Sequence, residues 1–305
     1  MSITKEEGNV ANSEDHGLHG IEKLSKEIFH EIVLEVCATE FVPSETFPGL
    51  EPVYPIKISH QCRRVPVDLA LVHSSFRDSV YGLPSLWSRM SIRLQFLSGD
   101  RLDALRGLLS RSGSRPLELL IRGDGLHLPT AVKEFLVKDV LPRASRIDCE
   151  WDFVISVDYE RPLSFPGLTH VQILDDSTYA PKRPDSVQRQ QIRALIGAPR
   201  LTQLCVNSLD WLGSCFIILP TRLVEFRVTD DIRMSRLVDV QGMLHLRSLL
   251  ISIDAMSVPR IIPDLVFAQV TYLSVLLGQE TPSEVLRHLW VPRVEDLRVE
   301  LRTAG

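Results

Sequence analysis

A three-position apolar frame, of ideal form Leu-x-x-Leu-x-Leu, returns along the C-terminal two thirds of this 305-residue chain. Its clearest copies are Leu168-Val171-Ile173, Leu201-Leu204-Val206, Leu223-Phe226-Val228, Leu246-Leu249-Ile251, Val270-Leu273-Val275 and Val294-Leu297-Val299. The last five start at residues 201, 223, 246, 270 and 294, so the intervals are 22, 23, 24 and 24 residues. Two weaker copies, Pro116-Leu119-Ile121 and Ala144-Ile147-Cys149, precede them. Alternate residues of a strand face opposite ways, so the frame marks one buried face of a short strand. One such strand cannot cover its apolar side alone, but equal spacing lets each unit cover its neighbour. The frame therefore predicts short strands stacked side by side, with a core that grows unit by unit.

A second regularity shares this register. Three residues beyond the third apolar position, Asp stands in five of the eight copies: Asp124, Asp152, Asp176, Asp231 and Asp254. A carboxylate there can accept N–H groups as the chain turns out of its strand. The connecting segments are partly helical in pattern. Asp100 can cap a helix carrying Leu102, Leu105, Leu108 and Leu109 on one face, with Gly113 near its stop. Asp185 opens a second, with Val187, Ile192, Leu195 and Ile196. Thr281-Pro-Ser-Glu284 is a capping box with proline at the first helical position. Pro259 and Pro263 make residues 256–267 irregular or 3₁₀.

A period of this length with this frame resembles the leucine-rich repeat. The resemblance implies an α/β solenoid, with parallel strands on a concave face and helices or irregular segments on the convex face. Such an array offers a surface for holding something. The period-two argument puts Arg146, Glu150, Gln203, Glu225, Arg227, Tyr272 and Arg298 on the concave side, as candidates for binding a protein substrate. Tyr and Arg are the residue types that anchor interfaces. The chain stops at Gly305, close behind the last frame, where a repeat array ordinarily carries a polar cap. The final unit is expected either to fray or to belong to a longer product.

Ahead of the repeats, residues 1–20 form an acidic tail, and residues 21–37 read as an amphipathic helix. Ser25 is its candidate N-cap, with Ile28, Phe29, Ile32, Val33 and Val36 on one face. A Pro-rich insert, 38–66, separates this helix from a second helical pattern carrying Leu69, Leu71, Val72, Phe76 and Val80. Leu86-Trp87 and a strand-like Met90-Ser-Ile-Arg-Leu94 close the module at about residue 95, and the repeats occupy 96–305.

KLSKEIFHEIVLEVC, then LALVHSSFRDSVYGLPSLWSRMSI, then LLSRSGSRPLELLI, resembles the F-box and following segment of fungal F-box proteins, particularly those of mushroom-forming fungi. Leu24-Ser25-Lys26-Glu27-Ile28-Phe29 stands in the place of the usual Leu-Pro-x-Glu-Ile-Leu opening. Ser25, His73 and Phe76 replace the usual proline, cysteine and tryptophan. The resemblance implies a substrate-recognition adaptor of a ubiquitin ligase: the F-box docks the Skp adaptor and through it a cullin, while the repeats hold a protein to be ubiquitinated. Leu24, Ile28, Phe29, Ile32, Leu69, Val72, Phe76 and Trp87 are then the adaptor-binding candidates. The alternative is a repeat scaffold that binds proteins without a ligase.

Other chemistries have little footing. Residues 1–40 hold three lysines against nine acidic residues, a net of −6, so residues 41–305 sum to +1. No basic field for nucleic acid follows. The five cysteines (37, 62, 149, 205 and 215) contain no CxxC pair and fit a reducing compartment. His60-x-Cys62 lacks the second pair that a tetrahedral metal site needs. Asp175-Asp176 and Asp230-Asp231 fall at strand exits and read as turn residues. There is no phosphate loop and no GxSxG elbow. No apolar run reaches the roughly 18 residues of a membrane span, and no signal peptide opens the chain. The expectation is a non-catalytic protein of cytoplasm or nucleus, without cofactor.

Overall fold

Nine strands lie in one all-parallel sheet, and among the described residues their order across the sheet is their order along the chain. The structure, a computed structural model, describes residues 25, 27–28, 30–32, 71, 74–94, 97, 99–123, 128–150, 153, 163–174, 186–207, 221–232, 234–254, 258, 264–278 and 283–302. The strands are β1 (Arg89–Arg93), β2 (Leu117–Arg122), β3 (Ala144–Glu150), β4 (His170–Leu174), β5 (Gln203–Val206), β6 (Glu225–Asp231), β7 (Ser248–Ile253), β9 (Tyr272–Leu277) and β11 (Asp296–Leu301). Two short strands, β8 (Leu265–Val266) and β10 (Leu289–Trp290), pair in a separate parallel ribbon. The fold is mixed α/β with a large open parallel sheet.

The apolar frame sets the register. Met90, Leu119, Ile147, Val171, Leu204, Phe226, Leu249, Leu273 and Leu297 are Cα partners from one strand to the next across the whole sheet. From Met90 to Leu273 every member of this ladder is buried. Leu168, Leu201, Leu223, Leu246 and Val270, the first frame positions, are buried just ahead of their strands. A slip of one residue would turn each strand's apolar set to the other face, so burial on one side fixes the pairing.

Two frames depart from expectation. In the first copy Pro116 is exposed and Leu117 takes the buried first position, with a register irregularity between Leu117 and Glu118. Proline has no N–H for the ladder, so the strand begins after it. In the last copy Leu297 and Val299 are exposed, because among the described residues β11 is the outer strand of the sheet. The strand expected to close the head module is β1, which pairs with β2 and so belongs to the sheet.

Among the described residues, helix α1 (Ser74–Tyr81) lies ahead of β1, and α2 (Gly99–Arg111), α3 (Thr130–Phe135), α4 (Ser186–Ile196) and α5 (Met234–Gln241) lie between strands. Leu102, Leu105 and Leu109 of α2, and Ile192, Leu195 and Ile196 of α4, join the frame residues in one core. Val132, Phe135, Leu237 and Val240 do the same for α3 and α5, which the sequence reading left unassigned. Past the end of α2, Gly113 takes φ of 57°, the left-handed conformation that suits glycine after a helix. The segment after the expected capping box is a 3₁₀ turn, Ser283–His288, rather than an α-helix.

A backbone ladder ties each unit to the one before it. Thr169, Val224, Arg247, Thr271 and Glu295 each donate their N–H to a carbonyl of the preceding unit. Hydroxyls directly after the first frame position reinforce it: Ser145 Oγ donates to Leu117 O at 3.2 Å, Thr169 Oγ1 to Ser145 O at 2.9 Å and Thr202 Oγ1 to Thr169 O at 3.2 Å. Arg143 bridges units by donating to Ser112 Oγ (2.8 Å) and to the Arg115 carbonyl (2.9 Å), behind the end of α2. Of the strand-exit acids, Asp231 closes β6 and Asp254 follows β7, while Asp124, Asp152 and Asp176 lie outside the described residues.

Candidate functional site

Because frame residues and helices occupy one face of the sheet, the alternating strand residues line the other. Two rows run across that face. The first is Arg89, Glu118, Arg146, His170, Gln203, Glu225, Ser248, Tyr272 and Asp296. The second is Ser91, Leu120, Asp148, Gln172, Cys205, Arg227, Leu250, Ser274 and Arg298. With strands about 4.8 Å apart, each row is about 38 Å long. All seven residues expected to bind substrate stand on this face. Arg146, Gln203, Glu225 and Arg227 fall in its middle, Glu150 at the end of β3, and Tyr272 with Arg298 toward the β11 edge.

Charges on the face neutralise one another locally. On three strands an acid and an arginine stand two residues apart and pair: Arg146–Asp148 at 3.1 Å, Arg227–Glu225, and Arg298–Asp296 at 3.5 Å. Between the first two strands Arg89 meets Glu118 at 3.1 Å. The Arg298 guanidinium also lies 5.5 Å from the centre of the Tyr272 ring. The face is thus rich in hydrogen-bonding groups yet carries no single sign of charge.

Its middle is drier than its ends. Arg146 and Asp148 are only 8% and 4% exposed. Burial raises the Asp148 pKa above its ordinary value, against the pull of Arg146. His170 is half-buried and shifts the other way: burial first, then Arg146, lowers its pKa, so the ring is held neutral. The Cys205 thiol is pushed up to about 12, chiefly by burial, and the fully buried Cys149 thiol is raised as well. Neither thiol is poised as a nucleophile, since reactivity follows the thiolate. Glu150 is committed internally, accepting the Gly123 N–H at 2.6 Å with its Oε2. Among the described residues no three His, Cys, Asp or Glu side chains come together as a metal-binding group.

The sequence reading missed Arg89, since β1 had been assigned to the head module, and Glu118, which stands on β2 in the first, weaker frame copy. The strand-like pattern Met90-Ser-Ile, with apolar residues two apart, was the available signal.

At the head of the chain, Ser25 Oγ accepts the Ile28 N–H at 3.4 Å, as an N-cap does. Ile28, Ile32 and Leu71 are exposed. Leu71 was not among the adaptor-binding candidates, although its alternation with Leu69 was visible. Trp87, expected on the adaptor surface, is instead buried: its indole N–H donates to the Val80 carbonyl at 2.9 Å, and it packs in a small cluster with Val80, Leu83, Leu86 and Leu108 of α2. Arg111 stacks over both Tyr81 and Trp87, at 4.6 and 5.3 Å from the ring centres. Phe76 lies on α1, and nothing further is described of its side chain. Leu24, Phe29, Leu69 and Val72 lie outside the described residues.

No family model, curated protein or solved structure matches the chain at a significant level. Among the described residues, no helix is long and apolar enough to cross a membrane.

Proposed function

We propose that this chain is a non-catalytic substrate-recognition adaptor of a ubiquitin ligase, with a leucine-rich-repeat solenoid as its binding part and a degenerate F-box at its head. The observation that carries the reading is the mixed-charge face spanning nine parallel strands in chain order. A sheet built by repetition, with its polar side opposite the helices that pack on the frame residues, supplies a long surface on which a protein segment can be read by many modest contacts. The head supports the adaptor part: exposed Ile28, Ile32 and Leu71 are apolar side chains suited to a largely apolar interface.

Co-purification of the full chain with the Skp adaptor tests this. Wild type is expected to retain the adaptor, and Ile28→Asp with Ile32→Asp to lose it. Both side chains are exposed, so the variant should keep its melting temperature. A folded wild type that fails to bind would rule out the ligase connection.

A second reading, a protein-binding scaffold without ligase association, is favoured by one observation. Trp87, the residue that carries the late Leu-Trp resemblance, is spent inside the fold. That reading expects capture of a target by the sheet face and none of the adaptor.

A further inference from the structure

We propose that β11 is a homodimerisation strand: two copies of the chain join edge to edge, in antiparallel register about a twofold axis through Val299. The inference starts from an exposed edge. Leu297, Val299 and Leu301 are 56%, 43% and 70% exposed, although the equivalent positions of interior strands are buried. Exposed edges with apolar side chains invite pairing, and proteins usually cover or blunt them.

The backbone is prepared for a partner. β11 pairs with β9 through its even-numbered residues: the Asp296 N–H donates to Thr271 O at 3.1 Å and the Arg302 N–H to Leu277 O at 2.8 Å. Backbone groups of successive strand residues point to opposite sides, so residues 297, 299 and 301 aim theirs at the open edge. An antiparallel partner that puts Val299 opposite its own copy lets these residues exchange N–H and C=O groups. Leu297 then exchanges with Leu301 of the second copy.

The side chains select that register and that occupant. The strand and its next residue read Asp296-Leu-Arg-Val-Glu-Leu-Arg302. Turned about Val299, the sequence sets Asp296 opposite Arg302 and Arg298 opposite Glu300, each pair made twice. On the other face Leu297, Val299 and Leu301 meet Leu301, Val299 and Leu297. Slipping the twofold centre by two residues, which keeps the outward backbone groups paired, leaves one kind of charged pair in place of two: Asp296 with Arg298 about Leu297, or Glu300 with Arg302 about Leu301. Opposite charges across antiparallel strands stabilise and like charges directly opposite oppose pairing. The strand is complementary to itself, with the most charged pairs in the Val299-centred register, and self-complementarity is what an isologous interface requires. The polar face of each sheet would thereby continue into the other.

Sedimentation of the full chain over a concentration series tests the proposal. Wild type should show a monomer–dimer equilibrium. Val299→Pro should give a folded monomer, because the N–H it removes faces the open edge and leaves the β9 ladder whole. Arg298→Glu and Glu300→Arg should each weaken self-association about tenfold or more. Mixing the two single variants should restore a dimer, since every charged pair is then opposite in sign, and the doubly reversed chain should dimerise alone. The last two results do not depend on whether the proline variant folds. A wild type that stays monomeric throughout, or a dimer indifferent to these charge reversals, would overturn the assignment.

Discussion

Arg146 and Asp148, two residues apart on β3, form a two-pronged ion pair buried on the polar face of the sheet. The guanidinium Nε lies 3.1 and 3.2 Å from the two carboxylate oxygens, and its second nitrogen lies 3.1 Å from Oδ2. Strand alternation forces both side chains onto the same side, and neighbouring strands then shut out water. Breaking a buried pair from one side leaves an uncompensated charge, whereas replacing both partners by apolar residues is often neutral. Arg146→Met is therefore expected to cost about 3 kcal/mol, and Arg146→Met with Asp148→Leu to return within about 1 kcal/mol of wild type. Denaturant unfolding of the four members of the cycle measures this. Asp148 already sits above its ordinary pKa of 3.8 through burial, and losing Arg146 raises it further. The single variant's deficit should accordingly be full at neutral pH and shrink as pH falls through that raised value toward 3.8. A deficit independent of pH would show that the carboxylate stays charged or solvated.

His170, the neighbour of Arg146 in the first row, predicts an opposite trend at higher pH. Its ring nitrogen Nδ1 lies 2.6 Å from Thr169 Oγ1, and its pKa is depressed below 6.5 by burial and by Arg146, against weaker raising effects of Glu225 and Glu118. Above pH 6.5 the ring is neutral in both folded and unfolded chains. Below it the unfolded chain takes up a proton that the folded chain refuses, so stability is lost as pH falls through the folded pKa. His170→Gln should flatten that loss while leaving stability above pH 6.5 nearly unchanged. Urea midpoints measured on either side of pH 6.5 decide the matter.

Trp87 predicts a loss of stability rather than of partner binding. It is fastened to Val80 by its indole N–H, covered by Leu108 and flanked by Arg111, so it joins α1 to α2 and the start of the sheet. Trp87→Phe removes the hydrogen bond and should cost about 1 kcal/mol. Trp87→Ala should cost about 3–5 kcal/mol by emptying the site. Adaptor capture, normalised to folded protein, should be the same for wild type and Trp87→Phe. A drop in capture without a drop in stability would place the indole at the interface after all.

The strands were legible because stacking imposes its own period on the sequence. Leu204, Phe226, Leu249 and Leu273 could be aligned by counting, and they are register partners in the fold. The two ends were less legible. Pro116 satisfied an apolar count yet cannot donate to a ladder, so Leu117 does its work. Val299 satisfied the frame, but burial needs a neighbour on both sides, and among the described residues β11 has only β9. The pattern Val132, Phe135, Leu136 and Val140 had helical spacing and went unread, since no side-chain cap opens the helix at Pro129. The seven polar residues chosen by alternation do share a face, because alternation is a property of one strand. Which of them are dry is not: the closure of Arg146 depends on strands on either side. The hydroxyls of Ser145, Thr169 and Thr202 recur directly after the first frame position, a signal in plain view whose purpose appears only when the preceding unit's carbonyls are in place.

One frame position occupies both the interior and the edge of the sheet, and that contrast separates packing from pattern. Phe226 on β6 and Leu297 on β11 are equivalent in the repeat and lie on the same ladder. Phe226 is fully enclosed, with strands on both sides and the helices over it, whereas Leu297 has β9 on one side and open edge on the other. Phe226→Ala should cost about 3–5 kcal/mol, because the transfer energy is lost and a cavity remains. Leu297→Ala, measured at dilution where the chain is monomeric, should cost less than about 1 kcal/mol, since most of its surface is already in water. The same substitution measured at high concentration should cost more, because the edge contact between copies is then populated and Leu297 faces Leu301 of the second copy. Equal costs for Leu297→Ala at both concentrations would show that the edge stays open. Equal costs for Phe226 and Leu297 would show that the ladder does not govern burial.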